Sequence, residues 1–287
     1  MKIIDGKKIA EELNKKLKIK IEALKNKIEL SLVVILVGGN PASKIYVKNK
    51  EKKALEIGIG SQVINLDEDV TEQELLSLVE AFNKDENVDG ILVQLPLPKH
   101  ISSKKIIDKI DPIKDVDGFS AINIGLLALG RPNVIPCTPL GCFKLIETVQ
   151  NLEGKDAIII GRSNIVGKPL SYLLTNNNAT VTIAHSKTKD LEKKTFNHDI
   201  VIAAVGVPKL VKNNWVRDNT VIIDVGINTI FGKDGKRKLV GDVDFETFFG
   251  KPVNITPVPG GVGPMTIHCL LSNTLDLAIK RRSKFLS

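Results

Sequence analysis

Residues 156–174, DAIIIGRSNIVGKPLSYLL, pass from a short apolar run through a turn bounded by Gly161 and Gly167 into an amphipathic segment. An isoleucine run of strand length between turn residues reads as a buried parallel strand. A strand that enters a helix through a glycine turn aims backbone N–H groups and a helix N-terminus at an anion. The spacing is Gly161-x5-Gly167 and not G-x-G-x-x-G, so a plain strand-to-helix turn accounts for it equally well. Two neighbouring features favour a ligand. Arg162 and Ser163 add a cation and a hydroxyl at the turn, and the next strand ends in IAHSKT (183–188). There His185 and Ser186, with Lys187 beside them, stand where an NAD site carries an acidic residue for the ribose. A carboxylate would repel a 2′-phosphate, whereas Arg162, Ser186 and His185 can receive one. The pattern points to NADP before NAD, although His185 also reads as a surface histidine at a strand end.

Outward from this unit, strand-like and helix-like runs alternate through most of the chain, the signature of α/β architecture with parallel sheets. The first half has LVVILV (32–37), SQVINL (61–66) and GILVQLP (90–96); the second has DAIIIG (156–161), ATVTIA (179–184), DIVIAAVG (199–206) and NTVIIDVG (219–226). Thr71 with Glu74 three residues later marks a helix start by a capping box. Two groups of parallel-type strands imply two lobes, joined by the Pro- and Gly-rich segment LALGRPNVIPCTPLG (127–141). A final helix from about Thr266 to Lys284 carries Leu270, Leu271, Leu275 and Ala278 on one face. Gly206, in the turn after the third strand of the second lobe, sits where backbone can approach a dinucleotide.

The bulk properties narrow the function classes. With 287 residues the chain is long enough for two domains. The apolar runs are too short to span a bilayer, and the basic N-terminal segment carries Glu11 and Glu12 but no arginine, unlike a transit peptide. A cytoplasmic protein is expected, without membrane attachment. Cys137, Cys142 and Cys269 form no C-x-x-C pair and the four histidines show no ligand spacing, so no metal is expected. The net charge of +8 permits nucleic-acid binding, which a steep salt dependence would reveal. Aromatics at 4% starve any base-stacking platform, and an anionic small molecule is the better inference.

Residues 38–58, GGNPASKIYVKNKEKKALEIG, read as a helix opened by Asn40 and Pro41 and closed by Gly58. On a wheel at ~100° per residue, Lys44, Lys48 and Lys52 fall on one solvated stripe. Lys50 falls among Tyr46, Val47, Ala54 and Ile57. Taken alone, this helix favours a lysine whose stem packs at the core edge while its ammonium reaches water. The alternative is a desolvated amine with a lowered pKa, suited to proton transfer near neutrality.

The order of motifs favours the alternative. GGNPASKIYVKNK (38–50), the segment from EQELL to DGILVQLPLP (72–98), KDVDGF (114–119), GRSNIVGKP (161–169), HSKT (185–188) and PGGVGPMT (259–266) together resemble the bifunctional, NADP-dependent methylenetetrahydrofolate dehydrogenase/cyclohydrolase family over nearly the whole chain. The resemblance implies a folate-binding α/β domain of three layers over 1–138, with the helix 267–287 packing back on it. It also implies a Rossmann-type doubly wound NADP domain over 139–266, with a cleft between the two lobes. It implies that Lys50 is the amine of the cyclohydrolase step, Gln94 its hydrogen-bonding partner, Tyr46 the aromatic against the folate ring and Asp117 the pterin-holding carboxylate. Ser43, Gly260 and Gly261 would line the substrate site. Gly161, Arg162, Ser163, Val166, Gly167, His185, Ser186, Gly206, Ile227, Gly263 and Thr266 would hold NADP. Glycines in 260–263 would admit close approach of nicotinamide and substrate. The implied partners are tetrahydrofolate derivatives, whose polyglutamate tails would meet part of the positive charge, and a second copy in a homodimer. The implied role is one-carbon metabolism feeding purine biosynthesis. Tyr46-x3-Lys50 also matches the pair of short-chain dehydrogenases, but here it precedes the glycine turn, the reverse of their order. An NAD-dependent monofunctional dehydrogenase would want an acidic residue at 185 or 186, or no Lys50.

Overall fold

Apolar runs bounded by turn residues become parallel strands in both halves of the chain. The computed structural model describes residues 1–231, 235 and 237–283. The first half contains β1 (Lys2–Ile3), α1 (Gly6–Leu24), β2 (Ser31–Val37), α2 (Pro41–Ile57), β3 (Gly60–Leu66), α3 (Glu72–Lys84), β4 (Gly90–Val93), α4 (Ser103–Lys109) and α5 (Ala121–Ala128). The second contains α6 (Cys137–Glu147), β5 (Asp156–Ile160), α7 (Gly167–Asn176), β6 (Thr180–Ala184), α8 (Leu191–Phe196), β7 (Ile200–Ala203) and β8 (Val221–Asp224). It ends with β9 (Asn228–Phe231), β10 (Arg237–Val240), β11 (Asn254–Ile255) and α9 (Val262–Arg281).

The chain divides into two units, one of residues 1–11 and 138–266, the other of 12–137 and 267–287. Assigning all of 1–138 to one lobe therefore fails for the first eleven residues. Their strand β1 pairs in parallel with β11, Lys2 opposite Asn254 and Ile3 opposite Ile255. The 127–141 segment is less of a linker than its Pro and Gly content suggests, since α5 runs to Ala128 and α6 starts at Cys137. Helix α9 starts at Val262, four residues before the expected Thr266, and the expected end at Lys284 lies outside the described residues.

The 138–266 unit holds a six-stranded sheet in the order β1-β11-β8-β7-β5-β6, with every pairing parallel. From β5 the chain passes to β6 on one side and then returns to β7 on the other. The strand order thus reverses at β5, and the crevice that binds ligands in doubly wound sheets opens at the C-terminal ends of β5 and β7. Ile158, Ile160, Val201, Ile222 and Phe248 fill its core. β9 and β10 form a separate antiparallel hairpin.

The 12–137 unit is built on a three-stranded parallel sheet, β3-β2-β4. Its central strand β2 is buried on both faces, as a continuous apolar run demands. The caps are those expected from the sequence. Asn40 accepts from Ala42 N and Ser43 N, and Gly58 closes α2 at φ +93°. Thr71 and Glu74 form the capping box of α3. The other end of α3 is capped by a distant side chain: the Lys114 ammonium donates to the carbonyls of Phe82, Asn83 and Asp85 at 2.9, 2.8 and 2.6 Å.

Helix α9 is tied to this unit by a buried charge. Asp89, fully buried, accepts from Ser31 N at 3.1 Å, Arg281 Nη2 at 2.5 Å and Arg282 Nε at 2.9 Å. Removing one partner of such a cluster leaves desolvated charge uncompensated. Asp89→Ala is expected to lower the unfolding free energy by about 3 kcal/mol. A urea midpoint equal to that of the parent would contradict it.

Candidate functional site

Lys50 is the central residue of the buried stripe of α2, flanked by Val47 and Ala54 one turn away (i−3, i+4) and by Ser43 and Ile57 two turns away (i−7, i+7). The residue is 4% exposed, which excludes an ammonium that has reached water. Its Nζ donates to Gln94 Oε1 at 3.1 Å and lies 4.7 Å from the centroid of the half-buried Tyr46 ring, a cation–π distance. Gln94 follows β4, and its backbone N donates to Ile35 O at 2.8 Å, so the sheet sets its position. The amide orientation is fixed as well: Nε2 donates to Leu95 O at 2.8 Å, which turns Oε1 towards the lysine. Burial pushes the Lys50 pKa down from its ordinary value, and the nearby Asp117 and Cys137 push it back up.

Asp117 and Cys137 belong to the same environment. Burial pushes the Asp117 carboxyl above its ordinary range against the opposing pull of Lys50. Burial, reinforced by Asp117, holds the Cys137 thiol well above the usual range. The segment that presents Asp117 is organised by its neighbour Asp115, whose buried carboxylate accepts from Gly118 N, Ser120 N and Asn123 Nδ2 at 2.9, 2.8 and 3.0 Å. The two acids of DVD therefore differ in function: Asp115 builds the turn, and Asp117 is left to face the lysine. Cys137 donates to Val116 O at 3.3 Å, and Asn273 of α9 donates to the same carbonyl and to Ile135 O, both at 2.9 Å.

In the other unit the glycine turn is required by backbone packing. Gly161 has φ +134°, and a Cβ there would meet Ala204 O, the residue after β7, at 2.2 Å. A Cβ at Gly167 would meet Gly161 O at 2.2 Å. Ser163 Oγ accepts from Val166 N and Gly167 N at 3.1 and 3.3 Å, capping the start of α7 and keeping its own hydrogen for a ligand. Arg162 is exposed at the same turn. After β6, His185 Nδ1 accepts from Lys187 N at 3.2 Å, while Thr188 closes the turn onto His185 N and O. The neutral ring then carries its proton on Nε2, a donor, and Ser186 is exposed beside it. A turn bounded by two obligatory glycines at the switch point, a helix N-terminus, a cation and three hydroxyl or imidazole donors fit a dinucleotide phosphate set.

The remaining expected residues follow other strands of this sheet, and because all strands are parallel they share its C-terminal edge. Gly206 has φ +68° with open space where a Cβ would lie. Ile227 is 65% exposed after β8. Gly260 has φ +107°, but Gly261 is needed for internal packing, since a Cβ there would meet Pro257 O at 2.6 Å. Gly261 O in turn lies where a Cβ of Gly6 would be, at 1.9 Å. Gly263 stands in the first turn of α9 with open space around it, so crowding by the protein does not explain that glycine. Thr266 is one turn further on, its Oγ1 donating to Val262 O at 3.2 Å and 3.1 Å from Thr138 Oγ1.

Sequence reading missed two buried acids in this unit. Asp224 ends β8 and accepts from Gly226 N, Asp242 N and Val243 N at 3.0, 2.9 and 3.0 Å. Burial raises its carboxyl to about 7 against those three donors. Asp242 is fully buried and accepts from Val205 N and Gly206 N. The available signal was an acidic residue closing an apolar strand in IID (222–224) and a second in GDVD (241–244), each beside a glycine.

A doubly wound parallel sheet with an obligatory glycine turn at its switch point, in a chain that also buries a lysine against an oriented amide, defines an α/β protein of the dinucleotide-binding class that carries a desolvated amine. Comparison with known proteins makes the class specific. The profile of the tetrahydrofolate dehydrogenase/cyclohydrolase catalytic domain matches residues 4–117, and that of the same family's NAD(P)-binding domain matches 136–282. The bifunctional protein FolD of Pelagibacter ubique is 51% identical over 99% of this chain and 100% of its own. The crystal structure of the bifunctional FolD methylenetetrahydrofolate dehydrogenase/cyclohydrolase from Campylobacter jejuni superposes with a TM-score of 0.94 at 50% identity, covering 98% of this chain and 99% of that one. The Trypanosoma brucei enzyme, solved with NADP cofactor and inhibitor, gives 0.92 at 35% identity and 98% coverage of both chains. The chain belongs to the tetrahydrofolate dehydrogenase/cyclohydrolase family.

Proposed function

We propose that this chain oxidises 5,10-methylenetetrahydrofolate to the 5,10-methenyl compound with NADP and then hydrolyses that product to 10-formyltetrahydrofolate. The observation that carries the reading is Lys50 itself, a buried amine held by Gln94 in a chain of this family. NADP, when bound, supplies the hydride acceptor for the first step. The protein needs no general base there, because nitrogen lone pairs of the folate stabilise the cation formed, so alignment is its contribution. Asp117 suits the pterin edge, whose paired N–H groups a carboxylate can accept, and Tyr46 offers a ring face beside the lysine.

Ring opening is where Lys50 acts. Water adds to the methenyl carbon, and neutral Lys50 takes a proton from it at Nζ. The lysine then returns a proton to the ring nitrogen as the carbon–nitrogen bond breaks, and the adduct's hydroxyl proton leaves as the formyl C=O forms. A fully solvated lysine is almost entirely protonated at pH 7; burial raises the neutral fraction. Gln94 Oε1 accepts a hydrogen from either form and so holds Nζ in place through the cycle.

His185, Ser186 and Arg162 form the set that suits a 2′-phosphate, and Gly161, Ser163, Val166 and Gly167 the set that suits the pyrophosphate. Following methenyl formation and decay with NADP and with NAD in turn tests the whole assignment. Formation with NADP followed by decay supports it, and formation that stops at the methenyl stage contradicts the second activity. Ser186→Asp is expected to reduce the NADP-to-NAD preference in kcat/KM by at least about tenfold through charge repulsion. An unchanged preference would remove Ser186 from the phosphate site. The homodimer, the cytoplasmic setting, a supply of formyl groups to purine biosynthesis and attraction of polyglutamate tails by the +8 charge complete the reading. Among the described residues no helix is long and apolar enough to cross a membrane.

A further inference from the structure

Two loops at the C-terminal edge of the six-stranded sheet, one after β7 and one after β8, are held by a single carboxylate. Asp242 Oδ2 accepts from the consecutive backbone N–H groups of Val205 and Gly206 at 2.7 and 2.9 Å. Its other oxygen accepts from Asn228 Nδ2 at 2.8 Å. Gly226 lies against it so closely that a Cβ there would meet Asp242 Oδ1 at 2.2 Å. Asp242 is in turn fixed from behind: its own N–H and that of Val243 donate to Asp224. Gly241 leaves only 1.8 Å between a Cβ and Asp224 Oδ2, so only glycine fits there. Asp242 is fully buried, so its role is exerted through the loops.

Both loops bear on the ligand edge. Gly206 faces open space at φ +68°, and Ile227, between Gly226 and Asn228, is 65% exposed. The glycine turn that fits the phosphates belongs to β5, next to β7 in the sheet. A dinucleotide crossing the switch point from that turn must pass over the ends of β7 and β8. We propose that Asp242 is a positioning residue for the dinucleotide, setting the Val205–Gly206 turn and the Gly226–Asn228 turn in one fixed relation beneath its nicotinamide half. The inference rests on the NADP reading above.

The test measures NADP binding by isothermal titration calorimetry and, separately, KM for NADP and kcat. Asp242→Asn keeps the volume. With its oxygen on Val205 and Gly206, however, it turns an amide NH₂ onto the NH₂ of Asn228. The expected result is a Kd and KM for NADP raised at least tenfold, with kcat at saturation lowered less than threefold. Adding Asn228→Asp restores the donor–acceptor match, and the double variant is expected to recover most of the lost affinity, which a general loss of packing would not. A single variant that binds NADP like the parent overturns the proposal, as does a double variant that binds no better than the single one. Should Asp242→Asn not fold, Asn228→Ala removes the outer donor without touching Asp224. It is expected to raise Kd at least threefold, and an unchanged Kd overturns the proposal. Failure of the cofactor reading itself is distinct, because then the parent chain shows no NADP binding in the same calorimeter.

Discussion

Lys50→Met is expected to lose ring-opening activity by at least about a hundredfold, the lower range of what a positioned acid–base group contributes, while NADP-linked oxidation stays measurable. The methionine thioether fills the apolar part of the site but cannot exchange a proton with water. The oxidation step asks only for alignment and suffers through altered contacts with Tyr46 and Gln94. Stability is expected to move the other way. A buried, partly charged amine costs free energy that an apolar side chain of similar length does not, so the variant should gain about 1 kcal/mol at pH 7. The sign of the pH dependence follows from the lowered pKa of Lys50. Between that lowered value and the ordinary 10.5, the unfolded chain binds a proton that the folded chain has released. Stability from this group therefore rises with pH in that window, is complete above 10.5 and is lost as pH falls through the folded-state value. The advantage of methionine should shrink accordingly as pH rises. Parallel assays of methenyl decay and NADPH formation, with thermal unfolding at several pH values, check all three expectations. Full ring opening in Lys50→Met would remove the lysine from the mechanism.

Gly161→Ala is expected to produce the complementary defect. Its backbone stands at φ +134°, and the added carbon would lie 2.2 Å from Ala204 O and 2.9 Å from Ala204 C. Neither atom can rotate away, because Ala204 N is held to Ile160 O at 2.8 Å in continuation of the β5–β7 pairing. The ends of β5 and β7 must separate at the switch point, where the glycine turn is formed. Strain at a glycine-only φ, together with this overlap, is expected to lower the unfolding free energy by about 3 kcal/mol. It is also expected to raise the Kd for NADP by about a hundredfold. The loss should fall on NADP binding more heavily than on hydrolysis of supplied methenyl substrate, since Lys50, Gln94 and Tyr46 stand in the other unit. Denaturant unfolding and calorimetric titration measure the two effects, and a Gly161→Ala chain with parental affinity for NADP would show that the turn is not the phosphate site.

The two acids of DVD show where reading from sequence stops. Both are carboxylates two residues apart in one turn, and the motif singles out Asp117. Only the fold shows that Asp115 is spent on three donors of its own turn. Asp224 and Asp242 are eighteen residues apart across the β9–β10 hairpin, a separation at which no local periodicity links them. The strands β1 and β11 are two residues each, too short for any alternation, so the first eleven residues could not be assigned to their unit from sequence.

Local chemistry was legible along the chain. The caps at Asn40, Gly58 and Thr71, the isoleucine strands and the glycine turn depend on residues within a few positions of one another, which is the range over which backbone sterics and hydrogen bonding act. The α2 wheel likewise singled out Lys50 as the anomalous lysine. It could not say whether the ammonium reached water, because a long flexible stem permits either outcome. Tertiary structure decided that by placing Gln94, 44 residues away, beside Nζ, and by packing Asp117 and Cys137 around the same desolvated space. A pKa depends on every group that excludes water or supplies charge nearby, and those groups converge only when distant segments fold together.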